Sequence, residues 1–278
     1  MTVGALTRII CLPVDRSSTA VGGRRPRGGT NPVETPAANG YNYILPGRAA
    51  LAWLPMRECA PRQPEPEFID LPEEAAAYAH ADFAEVNQAF VDRLVELAGN
   101  LPSARCIDLG TGPADIPIRL LKQRPGWRVT AIDASPPMLG FARHAVERAG
   151  LGAAVQLLQA DAKDTGFPAR SFDVVFSNSI LHHVNDTLRF WQEVSRLGAA
   201  GATVFFRDLT RPPTLADAKE VVRRYAGNES PLLQKEFVRS LMAAYTPEEV
   251  RRQLISAGLK QLTVEVVTDR HLDIFGRL

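Results

Sequence analysis

The chain has 278 residues, of which 45% are hydrophobic and 23% are charged. These ordinary values exclude wholesale disorder and fibrous architecture. The formal net charge of +1 gives no whole-chain argument for binding to nucleic acid or to a membrane surface. No apolar run reaches the roughly 18–20 residues of a membrane span, so we expect no membrane-spanning helix.

The three cysteines, Cys11, Cys59 and Cys106, are widely separated along the chain. They form neither a disulfide framework nor a Cys-x-x-Cys metal pair. A reducing cytoplasm is the natural expectation for such a chain, and no metal site is expected.

The N-terminal part of the chain differs from the rest in charge. Residues 1–63 carry eight arginines against three acidic residues, whereas the remainder carries 24 basic and 28 acidic side chains. The glycine- and arginine-rich stretch 22–29 cannot bury enough apolar surface to offset its ordering entropy. We therefore expect a disordered basic extension over residues 1–66. A translation start at Met56 would remove most of it.

The pattern becomes regular after this extension, and we expect a single domain over residues 67–278. Pro72 and the two glutamates that follow open a first helix, because the helix macrodipole favours acids in the first turn. A second helical run, 82–98, places apolar residues at three- and four-residue steps.

Strand-like and helix-like segments then alternate, which is typical of βαβ units and a parallel sheet. Right-handed crossovers make this a doubly wound, Rossmann-like α/β fold. The predicted strands are 105–109, 128–133, 154–158, 172–176 and 202–207, and the predicted helices between them are 115–124, 136–149 and 186–197.

A helical insertion, 214–244, follows the fifth strand, and its apolar residues favour a lid over the site, with plain helix packing as the alternative. A capping box begins a helix over 247–257. Segments 261–267 and 271–275 alternate like two strands of a closing hairpin, so one of them is expected to run antiparallel to the other strands.

Ligands bind outside the carboxyl ends of the strands in such a sheet. The first strand leads into Asp108-Leu-Gly110-Thr-Gly112, whose glycines allow a tight turn and a close approach of backbone to ligand. A dinucleotide fingerprint would need a third glycine at Asp115, where a carboxylate repels a pyrophosphate. An NAD-linked reductase is therefore disfavoured, and Asp108 suits a cationic ligand.

Polar residues also follow the next three strands. Asp133 ends the second strand, where an acid accepts hydrogen bonds from ribose hydroxyls. Asp161 follows the third strand and can accept a hydrogen bond from an adenine amino group. Asn178 follows the fourth strand, just before the pair His182-His183.

Four such segments in this order resemble the class I S-adenosylmethionine-dependent methyltransferases over roughly residues 68–278. The resemblance implies a seven-stranded sheet with an antiparallel last strand, and S-adenosylmethionine as cofactor. It further implies that Gly110 and Gly112 contact the methionine part, that Asp133 binds the ribose and that Asn178 borders the reactive end. The cofactor-binding residues it implies are Tyr78, Asp108, Gly110, Thr111, Gly112, Asp133, Ala134, Met138, Asp161, Ala162 and Asn178.

The sequence narrows the class of molecule that accepts the methyl group, mainly by excluding alternatives. The turn after the fourth strand lacks the Asn/Asp-Pro-Pro-Tyr motif that marks methylation of nucleic-acid or glutamine amino groups. It resembles instead the small-molecule branch that includes quinone and natural-product methyltransferases. His182 or His183 is a candidate general base, with packing as the alternative. Asp208 can orient a substrate or pair with Arg211.

Two other functions remain open. One is an RNA or protein methyltransferase that uses the basic extension as a docking arm. The other is a module that binds S-adenosylmethionine without catalysing transfer. Deletion of residues 1–55 tests the docking arm. A search for substrate-dependent product release tests whether the chain catalyses transfer or only binds the cofactor.

Overall fold

The computed structural model describes residues 59–67, 75–76, 84–227, 229 and 231–278, except for the side chains of residues 232 and 233. All of these residues fall in one compact unit. The expectations about the extension before residue 59, including a start at Met56, and about Tyr78 lie outside the described residues. Within the described residues, no helix has the length and apolar character needed to cross a membrane.

Helices and strands alternate along the described chain, as the sequence pattern predicts. In chain order they are α1 (Ala84–Ala98), β1 (Arg105–Leu109), α2 (Asp115–Gln123), β2 (Arg128–Asp133), α3 (Pro136–Arg148), β3 (Val155–Gln159), β4 (Phe172–Asn178), a 3-10 turn (Leu181–His183), α4 (Thr187–Leu197), β5 (Gly198–Leu209), α5 (Leu215–Ala226), α6 (Pro231–Ala243), α7 (Pro247–Ser256), β6 (Thr263–Val266) and β7 (His271–Arg277).

The strands form one seven-stranded sheet in the order β3-β2-β1-β4-β5-β7-β6. Strands β1 to β5 are parallel, and β7 pairs antiparallel with both β5 and β6. The predicted Rossmann-like sheet with an antiparallel last strand is therefore confirmed. The strand order reverses between β1 and β4, which creates a crevice at their carboxyl ends.

Helices cover both faces of the sheet and bury its central strands. Successive residues of β1 illustrate this, because Cys106 packs with the residues of α1, α2 and α3 while Ile107 packs on the other face with α4 and α7. On the first face, the rings of Phe90 and Phe205 stack with their centroids 4.6 Å apart. Parallel strands that are buried on both faces appear in a sequence as continuous apolar segments, and these strands could therefore be predicted.

The predicted helix starts are also confirmed. Ser135 caps α3 by accepting a hydrogen bond from the Met138 amide, at 3.3 Å. Thr246 and Glu249 form the capping box of α7, in which each side chain bonds the backbone amide of the other residue. Such reciprocal bonds satisfy amide groups that have no partner within the helix.

A segment before the expected domain boundary also packs on this unit. The strap, Cys59–Glu67, has no helix or strand, yet its Ala60 and Gln63 amides donate to the carbonyls of Pro213 and Met242, at 2.9 and 3.0 Å. Glu65 within it is buried. The strap thus packs on the unit although it lies before the boundary expected at Glu67. The strap escaped the sequence pattern because backbone hydrogen bonds, rather than a periodic apolar face, hold it in place.

Candidate active site

A cavity of about 480 Å³ opens at the carboxyl ends of β1 to β4, where the strand order reverses. Most of the predicted cofactor-binding residues line it, and so does one of the two candidate bases. These lining residues are Gly110, Gly112, Asp133, Ala134, Met138, Asp161, Ala162, Asn178 and His183. The remaining predicted residues that the structure describes, Asp108, Thr111, His182 and Asp208, are buried and do not line the cavity.

The glycine loop brings backbone rather than side chains to the cavity. Gly110 and Gly112 have φ angles of +73° and +54°, in the left-handed region that glycine tolerates best. A Cβ atom on Gly110 would lie 2.7 Å from Cδ1 of Ile180, so this position has no room for a side chain. The amides of Gly110 and Thr111 both donate to the Ile132 carbonyl, which fixes the loop on β2.

Asp133 links the two loops on either side of the cavity. One carboxylate oxygen accepts a hydrogen bond from the Gly112 amide and the other from the Ser135 amide, both at 2.8 Å. Burial raises the pKa of Asp133, although these amide bonds counteract the rise. The Ala134 amide also donates to this carboxylate, which has about four acceptor sites in all, so Asp133 can still accept a hydrogen bond from a ligand in the cavity.

Asp108 lies at the end of β1, beneath the glycine loop, and its side chain is buried. Burial raises its pKa to about 7, and the nearby charge of Asp133 acts in the same direction. The carboxyl group is thus poised to ionise when a cation such as an ammonium group approaches.

The raised pKa of Asp108 predicts a pH dependence of stability. The folded state holds this proton more tightly than the unfolded state, so Asp108 stabilises the fold at low pH and loses that contribution as pH rises toward 7. We expect the melting temperature of the protein without ligand to fall between about pH 4 and pH 7, as measured by circular dichroism. The Asp108→Asn variant is expected to show a flatter profile. Equal pH profiles for the two proteins would contradict this prediction.

The opposite end of the cavity, after β3, is lined by both apolar and charged side chains. Met138 is buried in the wall, as expected for a residue that packs on an adenine ring. Asp161, however, accepts a hydrogen bond from the Lys163 amide at 2.8 Å and lies 3.1 Å from its ammonium group. Lys163 also pairs with Glu67 of the strap, at 2.8 Å, and both of these residues line the cavity.

The two adjacent histidines have different environments. His183 lines the cavity, and its Nδ1 lies 3.0 Å from the Pro66 carbonyl oxygen. Burial and the neighbouring charge of His182 hold the pKa of His183 well below its usual value. His183 is therefore neutral at pH 7, and its ring can accept a hydrogen bond.

His182 instead forms a buried pair with Asp208, in which Nδ1 lies 2.6 Å from Oδ1. Burial lowers the pKa of His182, but the charge and the hydrogen bond of Asp208 more than compensate and raise it overall. Asp208 also accepts hydrogen bonds from the Leu181 and Leu209 amides, at 2.5 and 2.7 Å. The rings of His182 and His183 lie 4.1 Å apart, centroid to centroid.

Two expectations about these residues are corrected. Neither His182 nor Asp208 reaches the cavity, because each side chain satisfies the other behind its wall. Asp208 also does not pair with Arg211, whose guanidinium donates to Glu249 at 2.6 Å and to the Ala244 carbonyl at 2.7 Å. Arg211 is close to Asp208 in the sequence, but the Arg211 side chain is directed toward Glu249 at the start of α7.

The described part of the chain contains a group of potential metal ligands. It consists of Glu65, His182 and His183, whose ligand atoms lie within 4.8 Å of one another. These groups already have partners. Arg239 Nε lies 3.1 Å from Glu65, and Arg62 donates to the His182 carbonyl at 2.7 Å. Two guanidinium groups beside the cluster oppose the binding of a divalent cation.

The helical insertion does not cover the cavity in the way its apolar residues suggest. Val222 of α5 and Phe237 and Leu241 of α6 pack with one another and with Leu209 at the end of β5. No described residue of 214–244 lines the cavity. The apolar faces of the two helices are used in this packing, and Glu67 of the strap borders the cavity instead.

Sequence reasoning missed several residues around the site. Glu65, Glu67 and the rest of the strap carry no periodic signal. Asn87 did carry a signal in the sequence, because it is a polar residue on the apolar face of α1. Its amide nitrogen donates to Asp115 at 2.9 Å, and its amide oxygen lies 3.4 Å from the Asn178 amide nitrogen.

Comparison with known proteins shows that the chain is similar to methyltransferases. Residues 107–206 match the family described as "Methyltransferase domain". The demethylmenaquinone methyltransferase of Thermus thermophilus is 34% identical over 121 residues, which cover 44% of this chain and 54% of that protein. The 27-O-demethylrifamycin SV methyltransferase of Amycolatopsis mediterranei is 26% identical over 191 residues, which cover 68% of this chain and 65% of that protein.

A solved structure supports the fold. The S-adenosylmethionine-dependent methyltransferase of Aquifex aeolicus superimposes with a TM-score of 0.57 at 18% identity, covering 75% of this chain and 99% of that one. The chain is therefore similar to the class I S-adenosylmethionine-dependent methyltransferases, whose fold it shares. It spans less than two thirds of the length of either curated relative.

The site fits the cofactor that this family implies. The glycine loop brings backbone to the cavity, a Cβ on Gly110 would clash with Ile180 of the cavity lining, and Asp133 retains acceptor capacity. The Oδ1 atom of Asn178 is buried without a hydrogen-bond partner among the described residues, at the wall of the cavity. An unpartnered buried oxygen of this kind suits a ligand that donates a hydrogen bond.

Proposed function

We propose that this chain transfers a methyl group from S-adenosylmethionine to a small molecule. The observation that carries the proposal is the convergence of the glycine loop, Asp133 and a neutral His183 on one cavity. Bound there, S-adenosylmethionine supplies an activated methyl group on a sulfonium centre. The protein contributes binding, orientation and a proton acceptor.

Each residue has a distinct part in this proposal. Asp133 accepts hydrogen bonds from the ribose, and the backbone of Gly110 and Gly112 contacts the methionine part. Asp108 supplies negative charge for its amino group. Asn178, at the end of β4, borders the reactive end.

His183 is the proposed general base. Its Nδ1 is directed at the Pro66 carbonyl, which can only accept a hydrogen bond, so Nδ1 carries the ring proton. In the neutral ring the other nitrogen, Nε2, then has the free lone pair. Nε2 of His183 would take the proton that an acceptor hydroxyl or amine loses on gaining the methyl group, while the methyl–sulfur bond breaks and S-adenosylhomocysteine leaves.

A small acceptor suits this cavity better than a polymer. The strap lies at its edge through Glu67, and Ile180 and Val184 add apolar surface near His183. The relatives named above are described by small-molecule substrates, demethylmenaquinone and a demethylrifamycin. We therefore propose an uncharged ring compound that bears a hydroxyl or similar group. Free thiols at Cys59 and Cys106 support our proposal of a cytoplasmic location.

An assay of methyl transfer tests the proposal. The full chain is incubated with S-adenosylmethionine and either demethylmenaquinone or a panel of phenols, amines and thiols, and the release of S-adenosylhomocysteine is measured. We expect release that depends on one of these small acceptors. Cofactor binding with no release on the whole panel, or release only with RNA or protein added, would contradict it.

A further inference from the structure

We propose that Glu65 and Pro66 of the strap are positioning residues for His183, so that seating of the strap completes the acceptor end of the site. The inference rests on the proposed function, in which His183 is the base. It concerns residues that lie outside the strand ends and that no motif indicates.

The path of the strap brings it directly onto the turn that carries the histidines. Backbone bonds to Pro213 and Met242 fix its first half. Arg62 then donates to the carbonyls of Ala243 and His182, at 2.5 and 2.7 Å, and to the Asn185 side chain at 3.0 Å. Its guanidinium carbon also lies 4.2 Å from the centre of the Tyr245 ring.

Pro66 selects the tautomer of His183. A neutral imidazole carries its proton on one of two nitrogens, and the hydrogen bond made by one nitrogen decides the state of the other. The Pro66 carbonyl oxygen, 3.0 Å from Nδ1, can only accept, so it favours a proton on Nδ1. The Nε2 lone pair that the proposed reaction needs is available only in this tautomer.

Glu65 reinforces this arrangement from the side of α6. Its Oε2 lies 3.6 Å from Nδ1 of His183, and a negative charge there favours a proton on Nδ1. Arg239 Nε, at 3.1 Å, and the Ser240 hydroxyl, at 3.3 Å, hold the carboxylate in place. Glu65 thus joins α6 to the base, and its burial is compensated by these partners.

Substitution of Glu65 by glutamine tests this role, because it removes the charge while keeping the size of the side chain. The matched control is Glu193→Gln, since Glu193 is also buried and bonds an arginine and a hydroxyl, Arg196 and Thr165, but lies elsewhere. Long-range ¹H–¹⁵N correlation spectra of the full chain report which imidazole nitrogen carries the proton, with the His183 signals assigned from His183→Ala.

The wild-type protein and Glu193→Gln are expected to show His183 protonated on Nδ1 alone. Glu65→Gln is expected to show a mixture of tautomers, and kcat lower by about 10- to 100-fold with unchanged S-adenosylmethionine affinity. Unchanged spectra in Glu65→Gln, or a wild-type His183 protonated on Nε2, would overturn the proposal. Full turnover by His183→Ala would instead reject His183 as the base and leave the spectra to test its positioning.

Discussion

Replacement of His183 by alanine is expected to lower kcat by about 10²- to 10⁴-fold, the usual contribution of a general base. His183 is the candidate base that lines the cavity, whereas His182 is held behind the wall by Asp208. The affinity for S-adenosylmethionine is expected to stay unchanged, because the cofactor contacts lie on the strand ends. Initial rates at saturating cofactor, with the acceptor found by the assay above, measure the effect.

The matched control is His144→Ala, since His144 is an exposed histidine of α3. Its kcat is expected to equal that of the wild type. A His183→Ala variant with wild-type kcat would show that no proton passes to this residue in the slow step. The proposed function would then retain the cofactor site but lose its base.

The wild-type pH profile tests the same residue. The pKa of His183 is lowered by burial and by the charge of His182, so the base stays unprotonated as pH falls through the usual histidine range. We expect kcat to show no histidine-like decline between pH 7.5 and 6, a window chosen around the ordinary pKa of about 6.5. A decline with an apparent pKa near that value would contradict the assignment.

Replacement of Asp133 by alanine is expected to weaken S-adenosylmethionine binding by ~1–3 kcal/mol, or about 5- to 150-fold. The variant loses the acceptor for the ribose hydroxyls. It also releases the Gly112 and Ser135 amides that the carboxylate holds on either side of the cavity. Isothermal titration calorimetry of the full chain measures the change.

Asp173→Ala is the matched control, because Asp173 is a strand aspartate of β4 that accepts a hydrogen bond from the Arg105 amide at the start of β1. Its affinity for S-adenosylmethionine is expected to match that of the wild type. Equal affinities in Asp133→Ala and the wild type would remove the ribose assignment. A loss in Asp173→Ala of the same size would indicate a general effect on folding.

Much of the fold was predictable because its central strands are buried on both faces and bounded by turn residues. Strand β5 shows where that reasoning stops. The apolar segment 202–207 indicates a strand, but the structure extends it to Gly198–Leu209. Its last residues pair with β7 up to the partners Leu209 and His271, and tertiary pairing of this kind overrides weak local β-propensity.

The part of the site that lies at the strand ends was also predictable from the sequence. Residues at the ends of parallel strands converge by topology, so Gly110, Asp133 and Asn178 could be placed from their order along the chain. The sequence could not distinguish His182 from His183, because neighbours in a 3-10 turn point in different directions. The strap was hidden since its irregular backbone gives no periodicity, and its partners are distant in sequence.

A crystal structure of the full chain with S-adenosylhomocysteine tests whether the cofactor binds in this cavity beside His183. We expect the ribose within hydrogen-bond distance of Asp133, the adenine beside Met138 and Asp161, and the sulfur near Asn178, facing the space beside His183. A ligand bound outside this cavity, or one oriented with its sulfur away from His183, would contradict the proposed reaction.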